Sequence, residues 1–224
     1  TITPLAPSLN AFIFKETWIQ RVAGVSFPKA TLTLHGSKKF TFSGPFLFTH
    51  TGITGPAVFS LSSLSAYEIF DQNHPAPLFI DLMTDLNFDQ LSAEIHQLIS
   101  AHPKKIFVNI LDMMIPKSLA EIVCRELHIE KKHGNEISKS DFSKITQWLK
   151  HVPVHVVGRA SGEEFVTAGG IDLSEVDSQT LQSKICPNLY FAGEILDIDG
   201  FTGGFNLQSA WATGRLAGIH LSHQ

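Results

Sequence analysis

Hydrophobic and polar residues alternate on both sides of one polar, glycine-containing break near the start of the chain. The alternation covers residues 31–34 and 40–42, and the break is His35–Lys39. Period-two alternation around such a break predicts a β-hairpin between Ser26 and Phe48. Further short strands are predicted at residues 46–49, 77–83, 154–157 and 165–168.

Hydrophobic residues recur every three or four positions in several later segments, which predicts amphipathic helices. The segments are Phe88–Ala101, Ile106–Leu111, Pro116–Leu127 and Asp141–Lys150. Asp85 or Asn87 is expected to cap the first helix and Ser140 the last, because such side chains accept hydrogen bonds from free backbone N–H groups.

Two shorter helices are predicted from their end signals. Pro56 suits a first helical position. The inward residues of that helix are predicted to be Ala57, Val58, Leu61 and Leu64. Lys15–Ala23 is predicted to form the other helix, ending at Gly24, since glycine favours the position after a helix.

The last part of the chain combines an apolar run, a glycine-rich loop and a helix. Leu189–Ala192 is predicted to be a strand of a parallel sheet, buried on both faces. Asn206–Leu221 is predicted to be a helix that lies close against a neighbour. The small or polar stripe that allows this consists of Asn206, Ala210, Gly214 and Gly218. Together the elements predict an α+β domain, a β-hairpin or small barrel-like sheet plus helices, in residues 1–157, and an α/β segment in residues 158–224.

Composition narrows the class of protein. Of the 224 residues 43% are hydrophobic and 17% are charged, as in globular proteins. The net charge of −4 argues against nucleic acid or an anionic membrane as partner. We expect neither a membrane-spanning helix nor a signal peptide. Cys124 and Cys186 stand in no metal or redox spacing, so we expect inert thiols in a cytoplasmic protein.

The glycine-rich loop indicates a cofactor site. Gly193 permits close approach at the end of the predicted strand, where α/β proteins bind ligands, and Glu194 supplies a hydrogen-bond acceptor. Gly200, Gly203 and Gly204 present bare backbone N–H groups at the start of a helix, where the helix dipole favours negative charge. A dinucleotide with hydroxyl groups and an electron-accepting ring would suit both features.

Several other positions are candidates with an ordinary structural alternative. His50 is the tentative catalytic residue, because histidine is the side chain best suited to move protons at physiological pH; the alternative is a histidine that is only hydrogen-bonded within a turn. Gly169 and Gly170 would allow close approach to the cofactor or form a bulge. Asp197 and Asp199 would join the site or only shape its loop. No residues have metal-ligand spacing, so no metal is expected.

Four blocks of the sequence resemble one family. Residues 193–208, GEILDIDGFTGGFNLQ, are similar to the C-terminal signature of the BaiN/YhiN-type bacterial flavoproteins, which are NAD(P)/FAD-dependent, aminoacetone-oxidase-like oxidoreductases. The blocks LFTHTGITGPA at 47–57, IPKSL at 115–119 and VTAGGI at 166–171 match in the same order. The resemblance spans nearly the whole chain, and the last block is the most specific.

The resemblance implies an FAD-binding domain interrupted by a substrate or cap domain. Residues 1–157 would be this insert, and residues 158–224 the C-terminal segment of the FAD-binding domain. Glu194 would hydrogen-bond the ribityl or pyrophosphate part of FAD. The backbone that would face the flavin pyrimidine edge is that of Gly203, Gly204, Phe205 and Asn206. The dinucleotide motif G-x-G-x-x-G does not occur, so the N-terminal FAD-binding half is expected to lie outside this sequence.

The expected function is part of a hydride transfer through FAD to or from a small organic substrate, with NAD(P)H as a candidate electron donor. The chain alone is expected to be inactive and to bind FAD weakly. Two alternatives stand beside this hypothesis. One is a non-catalytic module that binds a substrate or a protein, and the other is an FAD-dependent RNA-modifying enzyme, which the absence of a basic net charge disfavours.

Overall fold

The computed structural model describes residues 1–160 and 165–222, and it separates into two units. The barrel unit comprises Phe12–Ala57 and Phe70–Gly158. The terminal unit comprises Thr1–Ala11, Val58–Ile69 and Arg159–Gln224. The division after Gly158 lies beside the boundary expected after residue 157, whereas residues 1–11 and 58–69 group with the C-terminal segment.

The structure has eight strands in its described residues, of which the third and fourth are the longest. In chain order they are β1 (Ala6–Ser8), β2 (Phe12–Phe14), β3 (Ser26–His35), β4 (Lys39–Phe48), β5 (Gly52–Thr54), β6 (Ala76–Asp81), β7 (Val152–Arg159) and β8 (Val166–Ala168). The α-helices are α1 (Pro56–Leu64), α2 (Phe88–Ala101), α3 (Phe107–Leu111), α4 (Lys117–Glu126), α5 (Lys139–Lys150) and α6 (Phe205–Leu221). Short 3₁₀ helices lie at Thr17–Val22, Gly134–Glu136, Leu173–Glu175 and Gly193–Ile195.

Strands β2 to β7 close into a barrel in the order β2-β5-β4-β3-β6-β7. The predicted hairpin forms β3 and β4, and β4 runs unbroken to Phe48, so residues 46–49 are not a separate strand. β3 pairs with β4 on one side and β6 on the other, which sets Leu32 opposite Phe42 and Ile80. Leu32 and Leu34 are buried while Thr33, between them, is not, as a period-two pattern requires.

Reciprocal side-chain caps set the starts of two helices in the barrel unit. Asn87 caps α2 as predicted. Its side chain accepts a hydrogen bond from the backbone N–H of Gln90 at 2.9 Å, and the Gln90 side chain accepts one from the backbone N–H of Asn87, also at 2.9 Å. The cap predicted for α5 is wrong, because Ser138 rather than Ser140 accepts from the N–H of Asp141, at 3.1 Å. The reciprocal pair needs an acceptor side chain three residues after the cap, and Asp141 supplies it for Ser138.

The other two predicted helices form with small differences. Helix α1 begins at Pro56, but Leu64 is 44% exposed, and the buried face continues through Ser65 instead. The segment before Gly24 is a 3₁₀ helix over Thr17–Val22 rather than an α-helix. Gly24 follows it at φ +88°, a conformation that favours glycine.

The terminal unit has a two-stranded sheet and a small core. β1 and β8 pair antiparallel, with Ala6 opposite Ala168. The core residues are Val176, Leu181, Leu196 and Ala217, with Ile171, Tyr190, Phe191, Ile198 and Leu216 packed against them.

The strand predicted at Leu189–Ala192 is wrong. Among the described residues Tyr190 forms a single antiparallel bridge, with Gln182, and Leu189 is 42% exposed. An apolar run becomes a buried parallel strand only when hydrogen-bonded neighbours flank it on both sides. The terminal unit supplies one short antiparallel neighbour, at residues 181–183.

Helix α6 forms as predicted, starting one residue earlier at Phe205. The close packing predicted for its small residues is found at Ala210, whose Cβ would lie 3.8 Å from a Cβ added at Gly193, but within the described part of the chain it is not found at the two glycines. A Cβ added at Gly214 or Gly218 would meet nothing within 4 Å. Neither α6 nor any other described helix combines the length and apolar character needed to cross a membrane.

Candidate functional site

Two sequence blocks, 166–171 and 193–208, meet in the terminal unit through backbone hydrogen bonds. The N–H of Ile171 donates to the carbonyl of Ile195 at 2.8 Å, and the N–H of Asp197 donates to the carbonyl of Ile171 at 3.1 Å. Ile171 and Leu196 thereby form a parallel bridge. The candidate residues of the two blocks therefore lie side by side.

Glu194 joins these blocks through its side chain. Its Oε1 accepts a hydrogen bond from the backbone N–H of Thr167 in β8, at 2.8 Å. The residue is exposed and lines two neighbouring cavities of the terminal unit. One oxygen is thus fixed to the protein, and no hydrogen bond within the described residues uses the other.

The backbone itself accounts for Gly169 and Gly170. Their φ angles are +89° and +151°. A Cβ at Gly169 would lie 2.1 Å from the carbonyl oxygen of Pro4, and one at Gly170 would lie 2.5 Å from that of Ile195. Both glycines are therefore required by close approach of the chain to itself. Their predicted approach to a cofactor stays a prediction.

The start of α6 presents unbonded backbone donors. Gly203 and Gly204 have φ angles of +119° and +87°, and no side chain caps the helix. The first N–H groups of an α-helix have no intrahelical partner. Asn206 closes the preceding loop instead: its Oδ1 accepts from the N–H of Gly200 at 2.7 Å, and its Nδ2 donates to the Gly200 carbonyl at 2.9 Å. The side chain of Asn206 is therefore already engaged, and its backbone N–H has no hydrogen-bond partner among the residues that the structure describes.

A cavity of about 460 Å³ lies against this helix start. Its predicted residues are Glu194, Gly203, Gly204 and Asn206. Sequence reasoning missed its aromatic and aliphatic wall, which includes Leu9, Phe59, Phe165, Val166, Ile198, Phe201, Leu207 and Ala210. The rings of Phe59 and Phe165 meet edge to face at 5.2 Å. Phe201 lies inside the glycine-rich block, so it alone of the aromatic residues had a local signal; the others come from distant parts of the sequence.

A second cavity, of about 410 Å³, also has Glu194 in its lining. It is lined by Ile2, Leu5, Thr167, Gly169, Gly170, Ile171, Glu194 and Ile195. Gly193, which precedes Glu194, donates its N–H to the Thr213 hydroxyl of α6 at 2.9 Å. The 3₁₀ turn that carries Glu194 is therefore tied to α6 as well as to β8.

The two aspartates of the glycine-rich block have different roles. Asp199 accepts hydrogen bonds from the hydroxyls of Ser8, at 2.7 Å, and Ser63, at 3.0 Å, so it ties the loop to two other segments of the unit. Asp197 contributes its backbone N–H to the pairing with Ile171. Burial and the charges of these two carboxylates raise the pKa of Tyr67.

Neither Phe205 nor His50 is among the residues that line the cavity. Phe205 is 63% exposed, and its ring lies beside Gly203. His50 is an exposed residue of the barrel unit, between β4 and β5, whereas the other candidate residues are in the terminal unit. The turn around His50 is organised by Thr49, whose hydroxyl accepts from the N–H of Gly52 at 3.0 Å. The role of His50 as a proton-transfer residue stays a prediction.

Comparison with known proteins identifies the family. The family model described as "HI0933-like protein barrel and H2TH domain" matches residues 6–165. The chain belongs to the HI0933-like flavoprotein family. The matched part of this HI0933-like chain contains the whole closed barrel and α2 to α5, in agreement with the barrel-like sheet and helices predicted from the sequence.

Three curated relatives of this HI0933-like chain carry two names between them. Ribosomal RNA dihydrouridine synthase from Haemophilus influenzae is 31% identical over 231 residues, covering 100% of this chain and 53% of the relative. The protein of that name from Escherichia coli strain K12 is 32% identical over 199 residues, covering 87% and 46%. A 3-dehydro-bile acid delta(4,6)-reductase from Clostridium scindens is 27% identical over 221 residues, covering 97% and 54%. The chain spans about half the length of the curated relatives it matches.

Proposed function

We propose that the protein to which this chain belongs is an FAD-dependent oxidoreductase, and that the surface around Glu194 is one wall of its cofactor site. One observation carries the proposal: the blocks 166–171 and 193–208 converge on Glu194 beside a cavity edged by the start of α6. When bound, FAD would supply hydride transfer.

The residues present suit a flavin dinucleotide. Glu194 would accept a hydrogen bond from a ligand hydroxyl through the oxygen that Thr167 leaves free. The uncapped N–H groups that follow Gly204 would donate to the polar edge of the ring and stabilise negative charge there, since a helix N-terminus carries partial positive charge. The apolar wall, with Phe59 and Phe165, would keep water from the ring.

As the first candidate substrate we propose a uridine of ribosomal RNA. Two relatives carry that activity in their names. Dihydrouridine differs from uridine by hydrogen added across one ring C=C bond, which is chemistry that a hydride donor performs.

The charge argument against RNA applies to only one unit of the chain. The barrel unit has fourteen Lys or Arg and twelve Asp or Glu, a net charge of +2. The terminal unit has three and nine, a net charge of −6, and the two units together give the −4 of the whole chain. The excess of negative charge that argues against a polyanion is therefore confined to the terminal unit.

A small organic molecule is the second candidate substrate, as the sequence analysis expects. One relative is named as a bile acid reductase, and the cavity beside Glu194 has a largely apolar lining. NAD(P)H is the candidate electron donor for either substrate. The BaiN-type and YhiN-type subtypes would differ in the substrate and share the cofactor site.

The cofactor proposal is tested on the full-length protein by its visible spectrum and by FAD titration. Glu194→Gln should weaken FAD binding by about tenfold, because it removes the charge and keeps the shape of the side chain. Asp177→Asn is the matched control: Asp177 also accepts from backbone N–H groups of the terminal unit, yet it lines neither cavity. Full-length protein that neither carries a flavin nor binds added FAD would overturn the proposal. Residues 1–224 alone should bind FAD weakly.

The two candidate substrates are separated by mass spectrometry of ribosomal RNA. RNA from cells that lack the gene should lose one dihydrouridine, and expression of the full-length protein should restore it. If the two kinds of cells have the same dihydrouridine content, and the purified full-length protein carries a flavin, the small molecule remains as the candidate substrate.

A further inference from the structure

Two lysine-bearing loops of the barrel unit are joined edge to edge. The N–H of Gly134 donates to the carbonyl of Lys105 at 3.0 Å, and the N–H of Phe107 donates to the carbonyl of Lys132 at 2.8 Å. Ile106 and His133 form an antiparallel bridge between these bonds. We call the paired segments 103–106 and 131–135 the lysine junction. Adjacent paired strands lie about 5 Å apart, so the lysines of both loops share one small surface.

The junction is held in a fixed arrangement by the packing at Gly134. Gly134 is buried, and a Cβ there would lie 2.9 Å from Cδ1 of Ile110 and 3.1 Å from the carbonyl oxygen of His102. The N–H of Asn135 donates to the carbonyl of Pro103 at 2.8 Å, which closes the far end. The positive charges therefore stand on a rigid base rather than on independent loops.

Two acidic side chains next to the junction, those of Asp141 and Glu136, are already engaged. Asp141 accepts from Lys132 at 2.7 Å and from the Ser138 hydroxyl, and these bonds lower its pKa to about 2. Glu136 accepts from the backbone N–H of His133 at 2.7 Å and lies 3.0 Å from its Nδ1. Glu130 precedes Lys131 in the chain and offsets one positive charge in part.

Three exposed lysines of the junction have no ion-pair partner among the described residues, although Glu130 is adjacent to one of them in the chain. Lys104, Lys105 and Lys131 are exposed, and within residues 1–160 and 165–222 none of them forms an ion pair. A rigid surface with several unpaired ammonium groups suits a polyanion, because each phosphate that is neutralised releases counterions.

We propose that the lysine junction binds the phosphate backbone of the substrate RNA. The proposal rests on the RNA candidate above and adds where the barrel unit contacts it. The junction offers side-chain ammonium groups, which bind phosphate as point charges and do not read base edges. It therefore positions the RNA, while selection of the uridine belongs to other residues.

The barrel unit contains a matched control for this surface. Lys38 and Lys39 are adjacent exposed lysines at the tip of the hairpin, where the turn meets β4. The Nζ of Lys38 lies 5.2 Å from the ring centroid of Phe40. Lys38→Glu/Lys39→Glu changes the net charge of the same unit by the same amount as Lys104→Glu/Lys105→Glu. The two double variants therefore separate a local contact from a general loss of positive charge.

The test uses the full-length protein and a fluorescently labelled RNA stem-loop with uridines in its loop. Binding is measured by anisotropy over a range of salt concentrations. Lys104→Glu/Lys105→Glu should bind about tenfold more weakly at low salt and lower the slope of log K against log salt by about 2. Lys38→Glu/Lys39→Glu should change the affinity less than about twofold. Equal effects of the two variants, no effect of either, or no binding by the unmodified protein would overturn the inference.

Two further measurements separate a loss of RNA binding from misfolding and from failure of the cofactor proposal. Far-UV circular dichroism checks folding, and Lys104→Gln/Lys131→Gln replaces the double glutamate variant if that variant does not fold; it should lower the salt slope by about 2 as well. Flavin content is read in the same samples. Protein that carries a flavin but fails to bind the stem-loop overturns this inference and leaves the oxidoreductase proposal standing. Protein without a flavin that still distinguishes the two lysine pairs supports the inference while the cofactor proposal fails.

Discussion

The barrel unit and the terminal unit differ in how completely each pairs its own strands and buries its own apolar side chains. The barrel closes its sheet on itself and buries large side chains such as Phe12, Phe48 and Ile80 almost completely. The terminal unit has a two-stranded sheet and a small core, and it leaves Ile69 91% and Trp211 68% exposed. Closure removes sheet edges, whereas exposed apolar surface marks a place where another structure packs. This contrast agrees with the prediction that a further half of the protein completes the cofactor site.

The largest contrast between the units should appear in the reactivity of their cysteines. Cys124, in α4 of the barrel unit, is buried, and burial together with the charge of Glu130 raises its pKa to about 12. At neutral pH its thiolate is therefore about a thousandfold rarer than that of an ordinary thiol. Cys186, in the terminal unit, is exposed.

A chromogenic disulfide reagent measures this difference. Cys186 should react at once, and Cys124 only when the barrel unfolds. The variant Cys186→Ser should lose the fast reaction; a fast reaction that persists in it would mean that the barrel opens readily. The sequence predicts two inert thiols, and the structure supports that prediction for Cys124 alone.

Truncation of a core residue should affect stability far more in the barrel than truncation of a large residue in α6. Phe48→Ala should lower the free energy of unfolding of the barrel unit by about 3–5 kcal/mol, because it removes a fully buried ring. Trp211→Ala should change the free energy of unfolding by less than about 0.5 kcal/mol, because its ring is exposed in this chain.

Urea unfolding followed by tryptophan fluorescence tests this pair of variants. The chain has three tryptophans. In Trp211→Phe the signal comes from Trp18 and Trp148, whose ring centroids lie 6.2 Å apart in the barrel unit. Phe48→Ala is therefore made in that background. Equal midpoints with and without Phe48→Ala would show that the barrel core does not control the unfolding that is measured.

The parts of the fold that sequence could predict are those with a local signal. The hairpin follows from alternation within residues 26–48, and α2 follows from its spacing and from the Asn87–Gln90 pair. Closure of the barrel had no such signal: it places Gly52 opposite Ile13, where an added Cβ would lie 1.9 Å from the carbonyl oxygen of Phe12. That requirement becomes visible only when two distant segments are brought together.

The candidate site divides in the same way. Glu194 and the Gly203–Gly204 pair belong to one block of sequence, and the structure places them in the lining of one cavity. Phe59 and Phe165 are separated by more than a hundred residues, so periodicity and spacing gave no reason to pair them. The strand predicted at Leu189–Ala192 failed for the opposite reason: its pattern is local, but a buried parallel strand depends on neighbours that the described residues do not provide.

Adding one methyl group to Gly170 should have an effect of intermediate size on stability, and the effect should be confined to the terminal unit. Gly170→Ala should destabilise the terminal unit by about 1–3 kcal/mol. The positive φ of Gly170, +151°, disfavours residues other than glycine, and an added Cβ would lie 2.5 Å from the carbonyl oxygen of Ile195. Hydrogen exchange read by mass spectrometry should then show faster exchange in residues 166–198 and unchanged exchange in β3 and β4. Gly204→Ala is the comparison, since its φ is also positive but an added Cβ meets nothing within 4 Å, so the cost should be smaller. Faster exchange in both units would show that they unfold as one.

The smallest expected effect concerns the exposed face of α6. Gly214→Ala should stabilise the present chain by about 0.5–1 kcal/mol, because alanine has the higher helix propensity and nothing lies within 4 Å of the added Cβ. The sequence predicts instead that Gly214 lies close against a neighbour. Both statements hold if the neighbour belongs to the other half of the longer protein. In the full-length protein the same substitution should then destabilise α6.

Ala212→Gly separates packing from propensity in that experiment. Ala212 is an exposed residue of α6, so its replacement should cost about 1 kcal/mol in the present chain and in the full-length protein alike. The effect of Gly214→Ala on stability should change sign between the two chain lengths, while that of Ala212→Gly should not. Thermal unfolding of the four variants and the two unsubstituted proteins measures both effects. If Gly214→Ala is stabilising in each, the small-residue stripe of α6 faces solvent in the whole protein. The exposed surface of the terminal unit would then have to be covered elsewhere, or remain free.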